Sequence, residues 1–175
     1  LVGSGDVYKR QDIYYMGGWH MPASNKTVVY SVDDWEGNSC YCIEPGVPMR
    51  TGDKVTQKGE DYWNRYPDNQ TLYADDIRAF VGRIIQYGWT GKNDLSWDSH
   101  NASDRDEMGA LLATQNLIHE TVVGERDENF NKIDARKYGK NNVLDRYSPE
   151  HPCYAELMKH YKDIDCLLYT SPSPR

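Results

Sequence analysis

The chain is poor in phenylalanine, in basic charge and in long apolar runs. No apolar stretch approaches the roughly 20 residues needed to span a bilayer, so no membrane-spanning helix is expected within this sequence. Twenty basic residues stand against 27 acidic ones, a formal charge of −7. That balance argues against a nucleic-acid binder, whose footprint would be basic. There is no internal repeat and no low-complexity segment. Against two phenylalanines stand 14 tyrosines and 5 tryptophans. Tyr14, Tyr15, Trp19, Trp35, Tyr62, Trp63 and Tyr66 crowd the first half, and such side chains suit half-wet strands and binding surfaces.

The two ends do not read as protein. Cys166-Leu-Leu-Tyr-Thr-Ser171 is what TGT CTC TTA TAC ACA TCT encodes, a transposon end used in sequencing-library adapters, and Ser171 to Arg175 continues it. Asp6-Val-Tyr-Lys-Arg-Gln11 is the same transposon end read from its other strand. Residues 1–11 and 166–175 are therefore set aside as adapter translation, leaving 12–165 as an incomplete domain. Removing Lys9, Arg10, Arg175 and Asp6 leaves 17 basic and 26 acidic residues, a charge of −9. About 154 residues suffice for one domain, or for most of a larger one. A cut at both ends would remove a signal peptide, a cell-wall anchor or neighbouring domains without leaving a trace, and other domains of a larger protein are expected to have been lost. Without Cys166 the cysteines are Cys40, Cys42 and Cys153, an odd number.

From Asp12 to Gln57 the reading is β. Thr27-Val-Val-Tyr-Ser31 and Ser39-Cys-Tyr-Cys-Ile43 are short β-rich runs separated by a turn-like segment at 33–38. In a strand Cys40 and Cys42 share one face, and Glu44-Pro45-Gly46 then breaks it. A helix follows, opened by Asp75 and Asp76, with Ile77, Phe80, Val81, Ile84 and Ile85 as its apolar stripe. Thr90 to Asp104 reads as a polar loop. A second helix covers Asp106 to Glu125, its stripe being Met108, Leu111, Leu112, Ile118 and Val122. An irregular polar stretch leads to Tyr147. A last helix is expected to start at Ser148 and Pro149 and to bury Tyr154, Leu157, Met158, Tyr161 and Ile164. Strands first and three helices after predict an α+β protein.

Two polar residues, Gln115 and His119, sit one turn apart in the centre of the second helix's stripe. A buried glutamine must find partners or cost roughly 1–3 kcal/mol. Either it is a core residue bonded to neighbouring backbone, or its carboxamide is a reactant. Tyr41-Cys42-Ile43-Glu44-Pro45-Gly46 resembles the aromatic-Cys-aliphatic motif of the thioester domains of Gram-positive surface adhesins. Thr114-Gln115-Asn116-Leu117-Ile118 resembles the Thr-Gln-x-Ala-Ile-Trp motif of the same family, and Glu120 to Asp127 is similar to the segment that comes after that motif in the family. The resemblance covers roughly 40–165 and stops where further C-terminal strands would come.

The resemblance implies an antiparallel β-sandwich or barrel with an adjoining subdomain of about three helices. It also implies a thioester between the Cys42 sulfur and the Gln115 acyl carbon, closed with loss of ammonia. The expected role is adhesion: a lysine amine on a host or surface protein attacks the acyl carbon and is captured as an isopeptide. The bond is used once, without turnover, without cofactor or metal, on a secreted or cell-wall-anchored protein. Leu117 departs from the usual Ala, and His119 from the usual Trp. His119 is either a core aromatic substitute or a proton acceptor for the reaction. Tyr41 and Thr114 flank the pair as candidate binding residues, Tyr41 by packing and Thr114 through a hydroxyl that reaches the carbonyl region or bonds back to its helix. With Cys42 committed, Cys40 and Cys153 remain as a candidate disulfide.

Other readings stay open. A non-covalent binding module would use the aromatic residues Trp63, Tyr66 and Trp97 for glycan or protein. A cysteine hydrolase would pair Cys42 with His20, His119 or His160. Asp127-x-Asn129-x-Asn131 starts like a calcium loop, but Lys132 and Tyr138 occupy positions that need glycine and glutamate, so a solvated loop is the better account.

Overall fold

The computed structural model describes residues 8–13, 15–16, 19–20, 27–32, 39–43, 62–63, 69, 71–91 and 100–170. Wherever side chains are described, the architecture is helical. Three helices, α1 (Ala74–Tyr87), α2 (Ala102–Val123) and α3 (Tyr154–Thr170), build the core formed by the described side chains. This corrects the expected β-sandwich or barrel. Among the described residues the strands are short backbone segments before Tyr41: Tyr8–Ile13 (β1), Tyr15–Met16 (β2), Trp19–His20 (β3), Thr27–Val32 (β4) and Ser39–Cys40 (β5), with one isolated antiparallel bridge between Arg126 and Lys132. They form an antiparallel order β1-β4-β5 and a separate β2-β3 pair. Among the described residues there is no second layer to pack on them and no closure. The physical reason lies in the lengths: two of these segments reach six residues and three have only two. The three two-residue segments fall short of an ordinary strand, and two six-residue strands are too few to build two packed sheets. The two β-rich runs pair antiparallel, with Tyr30 opposite Cys40 and Ser31 opposite Ser39, while the turn expected at 33–38 lies outside the described residues.

Helix α2 organises the molecule. Asn101 caps it, its side chain accepting from the N–H groups of Ser103 (2.9 Å) and Asp104 (3.4 Å). The helix therefore begins a turn before the apolar stripe does, inside the segment expected to be a loop. Gly124 ends it in the left-handed region, φ 84°, donating to Glu120 and Thr121 carbonyls. Nearly every residue from Met108 to Val122 is buried, so α2 is a central helix and not an amphipathic one. The Asn69 side chain ties its end to the start of α1. It donates to the Thr121 carbonyl at 2.9 Å and accepts from the Thr71 and Leu72 N–H groups at 3.0 Å.

Ile77, Val81 and Ile84 of α1 pack on α2 as their spacing predicts, whereas Ile85 is exposed. Helix α3 starts at Tyr154, later than expected. Pro152 disfavours helical geometry at His151, and residues 148–153 turn instead. Its buried face is Leu157, Tyr161, Ile164 and Leu168. Both stretches set aside as adapter-encoded take part in described structure: β1 includes Tyr8 to Gln11, and α3 runs on through Thr170. Helix propagation needs one hydrogen bond per added residue and is indifferent to where the codons came from.

Helices α2 and α3 are in tight contact at Gly109. A Cβ there would sit 2.6 Å from the Glu156 carbonyl carbon and 2.7 Å from the Leu157 nitrogen, both main-chain atoms. Gly109→Ala gains about 1 kcal/mol of helix propensity, but overpacking against an immobile backbone costs more, about 1–3 kcal/mol. We expect a lower urea midpoint. An unchanged or raised midpoint would show that the two helices are not in contact at this point.

Candidate functional site

Residues 41–43 leave β5 and lie against the helices, with Tyr41 and Ile43 packed on the core. Cys42 and Gln115 meet there. The Cys42 N–H donates to Gln115 Oε1 at 2.9 Å, and Gln115 Nε2 donates to the Cys42 carbonyl at 2.7 Å. Both residues are half-buried. The carboxamide thus spends both of its polar atoms on the main chain of one residue, the cysteine 73 positions away. The partner expected of a structural glutamine, neighbouring backbone, and the partner expected of a reactive one, Cys42, are the same residue. The N–H pointed at Oε1 would also stabilise negative charge developing on that oxygen.

The residues just before the pair meet as well. The Tyr41 hydroxyl donates to the Trp89 carbonyl. The Trp89 N–H donates to Thr114 Oγ1 at 2.9 Å, and that hydroxyl donates to the Ala110 carbonyl at 2.7 Å. Thr114 therefore bonds back to its own helix and accepts from the chain leaving α1. Gly88 makes the approach possible, because a Cβ there would lie 2.5 Å from the Thr114 side chain. Burial pushes the Tyr41 phenol well above its usual range, with the Thr114 hydroxyl beside it offsetting a part.

His119, one turn beyond Gln115, is 5 % exposed, and neither ring nitrogen has a hydrogen-bond partner among the described residues. Burial is the main force lowering its pKa, to about 4, and the charge of Arg146 adds to it. The Cys42 main chain lies near enough to offset a little of this, though outside bonding geometry. The imidazole is neutral at pH 7, and its unprotonated nitrogen faces a dry environment.

Several expectations fall elsewhere. Cys153 is a fully buried free thiol, so the Cys40–Cys153 disulfide is not formed. Burial pushes its pKa up to about 12, which makes it a poor nucleophile. His160 faces Asp106 at 2.9 Å on the α2–α3 flank. Asp127 spends its carboxylate on the N–H groups of Asn129 and Asn131 and on Asn131 Nδ2, which shapes a turn. Tyr66, Trp97, Glu44 to Gly46 and the side chains of Cys40 and His20 lie outside the described residues. Among the described residues no group of His, Cys, Asp and Glu could hold a metal ion, and no helix is long and apolar enough to cross a membrane.

Sequence reading missed Trp89, because it acts through main-chain groups that every residue type carries. It also missed the buried ion cluster on the other side of α2. There Glu120 accepts from Arg126 (Nε 2.8 Å, Nη2 2.5 Å), Tyr161 (2.9 Å), Asn116 (3.0 Å) and Lys132. A signal existed: Gly109, Ala113, Asn116 and Glu120 form a second stripe at helical spacing, small residues followed by polar ones. Comparison of the chain with protein-family models, curated proteins and solved structures finds no match.

Proposed function

We propose that this chain is an adhesion domain whose Cys42 and Gln115 close an internal thioester, which then captures an amine on a surface ligand. The single observation that carries the reading is the double hydrogen bond between the Gln115 carboxamide and the Cys42 main chain. In the closing step the Cys42 sulfur attacks Gln115 Cδ, the C–N bond breaks, and Nε2 leaves as ammonia with the thiol proton. The Cys42 N–H steadies the oxyanion on Oε1. His119, buried beside the pair with its pKa lowered to about 4, helps exclude water from the site, and the thiol proton passes to the departing amine. In the capture step a lysine amine attacks the same carbon and expels the Cys42 thiolate, which regains a proton. One amide forms and one thioester is spent, so the protein acts once. The extracellular setting and the protein nature of the amine donor belong to this reading.

Intact mass tests it. The thioester form is expected to be lighter than the encoded chain by one ammonia and to resist alkylation at Cys42. Methylamine should add to it and expose one thiol, and Cys42→Ala or Gln115→Ala should abolish both effects. A second reading is favoured by the same carboxamide, since a glutamine with both polar atoms paired is also how a structural residue would sit. On that reading the chain is a non-covalent binding module, and the wild type will have its full encoded mass with an alkylatable Cys42.

A further inference from the structure

The two residues of the proposed thioester are each preceded by a side chain that ends on the same third residue, and this carries a role for all three. Tyr41, immediately before Cys42, donates to the Trp89 carbonyl. Thr114, immediately before Gln115, accepts from the Trp89 N–H at 2.9 Å. Trp89 is itself buried, at the point where the chain leaves α1. We infer that Tyr41, Thr114 and the Trp89 main chain form a clamp that sets the register of Cys42 against Gln115. In chemical terms they are positioning residues for the thioester proposed above, on which the purpose of the clamp rests.

Three features support the inference. First, Cys42 lies past the end of β5, outside the strand ladder. Its main chain is tied to α2 by the bonds to Gln115, and its neighbour Tyr41 is anchored on Trp89. Second, the Thr114 hydroxyl is oriented by its bond to the Ala110 carbonyl, which leaves a lone pair aimed at the Trp89 N–H. Third, Gly88 has no side chain to hold Thr114 and the end of α1 apart. A shift of about an ångström in a reacting pair can cost a hundredfold in rate, so a rigid register is the feature such chemistry needs.

Hydrogen exchange on the full chain tests the clamp separately from the chemistry. The Cys42 amide is protected by its bond to Gln115 Oε1, and the Ile118 amide by the core of α2. Tyr41→Phe and Thr114→Val should each speed exchange at Cys42 by roughly tenfold, the equilibrium worth of about one hydrogen bond. Ile118 should be affected much less, and Thr114→Ser, which keeps the hydroxyl, should restore protection. A general loss of stability would accelerate both amides in proportion. Equal acceleration, or none at Cys42, would overturn the clamp. Mass spectrometry of the same samples reports on the thioester independently: a wild type at full encoded mass defeats the covalent reading, while a clamp failure with ammonia lost in all variants defeats only the clamp.

Discussion

Glu120→Gln is expected to lower stability by about 3–5 kcal/mol, because it strands a buried cation that cannot discharge. Glu120 and Arg126 are both 0 % exposed. Arg126 also reaches Asp165 (2.5 Å), the Phe130 carbonyl (3.0 Å) and Tyr161 (2.5 Å), and its guanidinium lies 4.5 Å from the Phe130 ring centroid. Burial opposes its charge, but Glu120, Tyr161 and Asp165 more than offset this and hold its pKa above the usual arginine value. With the carboxylate gone, Arg126 keeps only Asp165 as a close anion and Lys132 only Glu125, at 3.8 Å. The expected fall in melting temperature is roughly 10 °C for a chain of this size. Arg126→Met should cost less. Glu120 would keep Lys132, Tyr161 and Asn116 as donors, so no buried charge is left without a partner. Urea or thermal unfolding of the two variants decides it. If Arg126→Met is the more damaging, the account of a stranded cation is wrong.

Acidification from pH 7 to about 4 should remove several kcal/mol of stability before the aspartates titrate. His119 and His151 both have pKa values lowered by burial from 6.5 to about 4. Between those limits the unfolded chain takes up protons that the folded chain refuses. The stability these groups contribute is therefore complete above about pH 6.5 and is lost as pH falls toward 4. At about 1.4 kcal/mol per pH unit, each histidine accounts for up to about 3 kcal/mol. Glu125 works the other way: burial raises its carboxyl pKa, so folding gains a little as pH falls. Asp106, Asp127, Asp134 and Asp145 have lowered pKa values, so their losses come in below this window. Urea unfolding at pH 7 and about pH 4.5 measures the slope, and His119→Phe should reduce it by about the share of one histidine. A wild-type stability that is flat over this range, or an undiminished slope in the variant, would contradict the burial of an uncharged imidazole.

The same residues show how much was legible in advance. The three helices could be read because Ile77, Val81 and Ile84, or Leu157, Tyr161 and Ile164, repeat at helical spacing, and a local pattern reports local structure. Asn101 was overlooked as a cap because the helix starts a turn before its apolar stripe does. The β-sandwich expectation came from the family resemblance and from short β-rich runs. Propensity in runs of two to six residues says nothing about whether a second layer exists to cover them.

The sequence by itself determined the helical periods, the acidic charge, and the identity of a cysteine and a glutamine worth suspecting. Contact between that cysteine and that glutamine was decided only by the tertiary structure, as were the use of the Trp89 peptide groups from both sides and the burial of Glu120 with Arg126. The physical reason is the range of the forces involved. Helix formation is governed by neighbours three and four positions apart. A hydrogen bond across 73 residues depends on how every intervening element packs, and no window of sequence encodes that.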